Sequence, residues 1–179
     1  DMVYKFISTS KVSFPGSGIA AMAASEANLA DARKAMFYQT IGHDKLNQLR
    51  HVRFFKDMDG VREHMRKHAA IMRPKFEAVL DVLERELGGL EIGSWVKPKG
   101  GYFISFDSME GCAKKIVARA KEAGLVMTGA GATFPYGKDP KDSNIRIAPS
   151  YPTPEELAVA AEIFVLSVKL VSIEKLLGE

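Results

Sequence analysis

The chain has 179 residues, 46% hydrophobic and 26% charged, with a net charge of +3 from 25 basic and 22 acidic side chains. That leaves room for one domain, or one and part of another, with a sizeable core, and the mild, interleaved charge argues against a dedicated nucleic-acid surface. One cysteine, Cys112, excludes an intrachain disulfide and fits a reducing cytoplasm, and the longest apolar run, Leu157 to Val171, is broken by Glu162 and Lys169, so no membrane span is expected.

No signal peptide opens the chain. It begins at Asp1, and an apolar run, Val3 to Ile7, reads as a short strand almost at once. A strand at an extreme terminus suggests a piece of something longer. Ser8-Thr9-Ser10-Lys11 follows it, then a turn rich in Pro and Gly. Ile19 to Ser25 is small and apolar, and periodicity leaves strand and helix open there. Glu26 to Tyr38 reads as a helix with Ser25 as N-cap and Leu29, Ala32, Ala35 and Met36 on one face. His43 to Phe55 reads as a second helix, with Leu46, Leu49 and Val52 or Phe54 inward.

Asp57 to Gly60 breaks the pattern, and a long helix runs to Leu87 with apolar residues at steady helical spacing. Pro74 inside it removes a backbone hydrogen bond and predicts a kink, a suitable place for one domain to pass into another. Gly88-Gly89 stops the helix. Ile92 to Val96 and Tyr102 to Phe106 read as strands, Glu110 to Ala123 as a helix, and Leu125 to Thr128 and Asn144 to Ala148 as further strands. Thr153-Pro154-Glu155-Glu156 gives the last helix an N-cap, a first-turn proline and a capping-box glutamate. The region after the expected kink is therefore α+β, with helices on one face of a small sheet.

Two residues carry candidate chemistry. Lys11 leaves a strand end among hydroxyls and backbone N–H groups. That suits a lysine forming a Schiff base with a carbonyl while its neighbours hold an anionic handle, and pyridoxal 5'-phosphate (PLP) has both an aldehyde and a phosphate. A solvated surface lysine is the plainer alternative. Arg146 alternates with Ile145 and Ile147 and could present its planar fork to a carboxylate; a water-facing charge on an edge strand is the alternative.

Other signals read as structure. Gly16 to Ala21 fits a GxGxxA string but lacks the βαβ context of a dinucleotide site. His64 and His68 are a helical i, i+4 pair without a third ligand and beside Arg62, Arg66 and Lys67, so a solvated basic face is expected and no metal site. Cys112 reads as core, and Trp95, Tyr102 and Phe103 as packing residues.

Three ordered motifs resemble the class I/II, fold-type I PLP-dependent aminotransferases: Ser8-Thr9-Ser10-Lys11 with Phe14-Pro15-Gly16, Lys99-Gly100-Gly101-Tyr102-Phe103, and Asn144-Ile145-Arg146-Ile147-Ala148. Tyr38 to Gly42 and Leu49 to Phe55 are most similar to the subgroup named for its likeness to MocR regulators. The resemblance covers essentially the whole chain. It implies the C-terminal part of an α/β PLP-dependent transferase fold, with helices on a small mixed sheet. Residues 1–57 would end the large cofactor-binding domain and 58–179 would form the small domain. Ile19 to Ser25 would be a strand.

The resemblance also implies roles. Lys11 would be the aldimine lysine and general base, Ser8 and Ser10 would contact the cofactor phosphate, and Arg146 would hold the substrate α-carboxylate. The reaction would move an amino group from an amino acid to a 2-oxo acid. An acidic donor such as aspartate is favoured by Arg50 and Arg53. A homodimer would be the full-length form, and a PLP-sensing MocR-type transcription regulator is the alternative. Ser17-Gly18 stands where many relatives carry a phosphate-pairing arginine. The resemblance implies that the residues stacking on the cofactor ring, the Asp pairing with its nitrogen and further phosphate ligands belong to sequence before the lysine that this chain does not contain. The chain alone is therefore expected to bind PLP weakly, not to turn over, and to expose apolar surface.

Overall fold

A computed structural model describes residues 2–178. The chain divides into two compact units, Asp1–His68 and Ala69–Glu179.

The first unit opens with β1 (Lys5–Ser8) paired antiparallel to β2 (Ala20–Ala23), with Ser8 opposite Ala20. This settles the ambiguous stretch as a strand. α1 (Glu26–Gln39) follows, and Ser25 caps it by accepting from the Asn28 N–H at 3.3 Å. Leu29, Ala32 and Met36 form its half-buried stripe, while Ala35 is exposed. α2 (Lys45–Phe55) is capped by Asp44. Its inward face differs from the expected one. His51 and Phe55 are buried, whereas Leu46, Leu49, Val52 and Phe54 are exposed. The physical reason is the polar loop after β1, which needs hydrogen-bonding partners on that helix face.

α3 (Met58–Leu87) is one helix, continuous through Pro74, and both units take part of it. Its apolar side chains are buried only towards the C-terminal end, at Val79, Val82, Leu83 and Leu87.

The second unit holds a three-stranded sheet in the order β3 (Gly93–Trp95), β4 (Ile104–Ser108), β5 (Asn144–Ile147). α4 (Ala113–Glu122) and α5 (Pro154–Leu177) complete it. The helix-and-sheet class is as the sequence implies, but the expected small mixed sheet is antiparallel in its described ladders. The reason lies in the long β4–β5 connection. It ends where it began: the Ser108 and Gly111 N–H groups donate to the carbonyls of Ser143 and Lys141 at 2.9 and 2.8 Å, so β5 must run back along β4.

Leu125 to Thr128 is not a strand. No described ladder receives its residues, and the Leu125 N–H instead donates to the Ala120 carbonyl, closing the end of α4 at 2.8 Å. Ile104, Phe106, Ile145 and Ile147 project to the core, where they meet Leu83 and Leu87 of α3, Ile116 of α4 and Phe164, Val165 and Val168 of α5. Cys112 is buried there at 1% exposure, as expected of a core residue. The capping box of α5 forms as its sequence requires, with Thr153 and Glu156 bonded reciprocally. Among the described residues no helix is long and apolar enough to cross a membrane.

Candidate functional site

The loop after β1 is a single tight turn. The Thr9 carbonyl accepts from the N–H groups of both Val12 and Ser13, each at 2.8 Å, so Ser10 and Lys11 ride on a closed loop. Thr9 fixes its near end to β2, donating its backbone N–H to the Ile19 carbonyl at 2.8 Å and receiving the Ile19 N–H on its hydroxyl at 2.9 Å. Gly18 passes flush against Ser10: a Cβ there would fall 2.7 Å from Ser10 Oγ, so only glycine permits the approach. The outer side of this turn carries Ser8, Ser10 and Lys11, all exposed, with the two serine hydroxyls 2.7 Å apart.

The inner side is buried. Ser13 and His51 are 7% and 4% exposed, and Ser13 Oγ lies 2.7 Å from His51 Nε2. Asn47 Nδ2 donates to the Ser17 carbonyl at 2.8 Å. Phe14 packs edge-on against His51 and Phe54. These supports went unread in the sequence. The available signal was the spacing Asn47, His51, Phe55, which is one helix face with a polar half.

His64 and His68 also depart from expectation. Their rings lie 4.3 Å apart, and His64 sits edge-on to Phe54 and Phe55 rather than in water. Burial holds the His64 pKa below its ordinary value, helped by the neighbouring charges of His68 and Lys67 and opposed by a hydrogen bond to the Val12 backbone. Among the described residues no group of three or more potential ligands could hold a metal ion.

In the second unit Arg146 sits on β5, half-buried, directly opposite Ser105 of β4. Its guanidinium lies over the Phe103 ring, 4.4 Å from the centroid. Phe103 was expected only to pack; it also carries this cation. Arg146 Nη2 makes a long contact of 3.4 Å to Thr128 Oγ1, and its Nε is buried without a partner. Nε and Nη2 form one edge of the guanidinium fork, the edge that binds a carboxylate side-on. An apolar cavity of about 210 Å³ lies beside it, lined by Thr128, Ala148, Leu157 and Phe164 among others.

The strand bearing Arg146 is anchored at its start by Asn144. Asn144 Nδ2 donates to Ser105 Oγ at 3.0 Å and Asp107 Oδ1 at 2.9 Å, and its Oδ1 accepts from the Thr133 hydroxyl at 2.6 Å. Asp139 accepts backbone N–H bonds from Lys141, Ser143 and Asn144 at 3.0, 2.8 and 2.8 Å. Those bonds, the one from Asn144 foremost, hold its carboxyl below the usual range.

Comparison with known proteins gives a consistent answer. The family model described as "Aspartate amino-transferase" matches residues 1–179. A provisionally named aminotransferase of Mycolicibacterium smegmatis is 48% identical over 174 residues, 97% of this chain and 41% of its own length. The solved aspartate transaminase of Corynebacterium glutamicum is 42% identical with a TM-score of 0.93, over 96% of this chain and 41% of that one. An α-aminoadipate aminotransferase of Thermus thermophilus, solved with N-(5'-phosphopyridoxyl)-L-leucine, shares the fold at 23% identity with a TM-score of 0.76, over 94% of this chain and 42% of that one. The chain thus spans about two fifths of the length of the curated relatives it matches.

Proposed function

The chain belongs to the aspartate amino-transferase family, and on that premise we propose that it serves, as the C-terminal portion of a longer enzyme, in PLP-dependent transfer of an amino group from an amino acid to a 2-oxo acid. The observation that carries the reading is the turn of residues 8–13. It presents two hydroxyls and an amine outward from a buried, hydrogen-bonded floor.

That donor set fits PLP, which when bound supplies an aldehyde for an amine and a ring that takes up electrons from the substrate's α carbon. Ser8 and Ser10 would donate their hydroxyls to its phosphate. Lys11 would hold the cofactor through Nζ until the substrate's own amine displaces it, and the freed lysine amine would then take up and return the proton at the substrate's α carbon. Arg146 would hold the substrate α-carboxylate along its Nε and Nη2 edge, with Phe103 fixing the plane of the fork.

The finer points belong to the same proposal. Residues 1–57 would close the cofactor-binding domain and 58–179 would form the small domain. Aspartate would be the amino donor, supported by the family's description and by the Corynebacterium transaminase. The motifs Tyr38 to Gly42 and Leu49 to Phe55 support the MocR-like subgroup. The full-length protein would be a cytoplasmic homodimer. Exposed apolar side chains such as Phe6, Ile7, Phe37 and Ile41 would be covered by further large-domain chain.

The test is a product assay on the full-length protein with PLP. A new amino acid should form only when L-aspartate and a 2-oxo acid are both present, and not in a Lys11→Ala variant. Carbon dioxide or ammonia as product would indicate decarboxylation or elimination on the same fold. Cofactor binding without any product would indicate a MocR-type regulator.

A further inference from the structure

We propose that His51 is a positioning residue for Lys11, acting through Ser13; the proposal rests on the reading of Lys11 as the cofactor's amine. His51 Nδ1 lies 2.8 Å from the Asn47 carbonyl. A carbonyl only accepts, so Nδ1 carries the ring proton and Nε2 presents a lone pair. The Ser13 hydroxyl has one proton and three acceptors within reach: His51 Nε2 at 2.7 Å, Thr9 Oγ1 at 2.9 Å and the Thr9 carbonyl at 3.1 Å. The shortest and most deeply buried of these is the bond to His51. Ser13 thereby ties the far end of the lysine turn to α2, while Thr9 ties the near end to β2.

The geometry gives this bond leverage. Among the described residues the turn is closed by two backbone bonds, both into the Thr9 carbonyl. Lys11 sits midway between the anchors Thr9 and Ser13, and its long side chain magnifies any rotation of the turn. One helical turn earlier on α2, Asn47 holds the Ser17 carbonyl from the same helix face. The segment from Thr9 to Ser17 is thus hung from α2 by two side chains, and Phe14 fills the space between that segment and the rings of His51, Phe54 and Phe55. Loss of the His51 bond leaves the Ser13 hydroxyl to fall back on Thr9 alone, and frees the amine's base to rock.

Two readouts on the full-length protein test this. Hydrogen exchange at the Val12 and Ser13 amides reports the turn itself, without cofactor. The initial rate at which PLP and borohydride label Lys11 reports the amine. In His51→Leu the two amides should exchange about tenfold faster and labelling should slow about three- to tenfold, the scale of one lost hydrogen bond. In His51→Gln the amide oxygen can take the place of Nε2, and both readouts should return to within about twofold of wild type. Where His51→Leu does not fold, Ser13→Ala removes the same bond from the other end and should give the same pair of changes. Unchanged exchange in these variants overturns the proposal, and so does faster exchange with wild-type labelling. No label on wild-type Lys11 is a different result: it removes the reading of Lys11 itself, and the proposal with it.

Discussion

The guanidinium carbon of Arg146 lies 4.4 Å from the centroid of the Phe103 ring. A cation over a ring face is attracted by the ring's quadrupole, and its N–H edges stay in the plane and remain open to an anion. With Nε unpartnered, that arrangement suits a carboxylate rather than a second aromatic or a water-filled surface. Arg146→Lys keeps the charge and loses the fork. It should lower kcat/KM for the amino donor by about 10- to 100-fold, mostly through KM, because a point charge replaces a bidentate pair. Phe103→Leu should raise KM by about two- to fivefold with kcat nearly unchanged, the size of an exposed cation–π contact. Steady-state kinetics on both variants checks the pair.

His64 makes stability depend on pH in a defined direction. Its folded-state pKa lies below the usual 6.5. Between those two values the unfolded chain binds a proton that the folded chain does not. Stability is therefore complete above about pH 6.5 and falls as the pH drops through and below it. The melting temperature should decline across that window, and His64→Phe should flatten the decline. Burial of the His64 ring sets most of the effect, with the charges of His68 and Lys67 adding to it.

The loop before β5 hangs on one carboxylate. Asp139 gathers three backbone N–H donors, from Lys141, Ser143 and Asn144, and the last of them belongs to the first residue of the Arg146 strand. Its pKa is held below the usual 3.8, so its contribution is complete above that value and is lost as the pH falls through its folded pKa. Asp139→Ala should lower the melting temperature and speed hydrogen exchange at Ser143 and Asn144. Exchange at amides in the middle of α5 should stay as in wild type.

Thr153 offers a cleaner stability test, since its cap acts on one helix end. Its hydroxyl accepts from the Glu156 N–H, and the Glu156 carboxylate accepts from the Thr153 N–H. Thr153→Ala should cost about 1 kcal/mol in denaturant unfolding, and Thr153→Asn only a few tenths.

These cases mark what the sequence could and could not disclose. The start of α5 was legible because capping chemistry is local: four consecutive residues name the N-cap, the proline and the glutamate. The strand β2 was not legible from periodicity, since four small residues fit helix or strand alike, and its pairing with β1 decides it. Leu125 to Thr128 reads as a strand in sequence, but strand identity needs a partner, and partners are long-range. The inward face of α2 was misread because apolar residues were assigned to the interior. Asn47 and His51 turn inward instead, to satisfy a loop 30 or more residues away in sequence. At the site, the identities of Lys11 and Arg146 stood out by their neighbours in sequence. Thr128 and the cation-bearing role of Phe103 appear only once the second unit has folded.

The central claim is that Lys11 is the amine that engages PLP. Full-length protein incubated with PLP, reduced with borohydride and digested should yield one phosphopyridoxyl-bearing peptide, modified at Lys11, in close to one equivalent per chain. A label distributed over surface lysines such as Lys34 and Lys115, or a Lys11 peptide recovered unmodified, would contradict it.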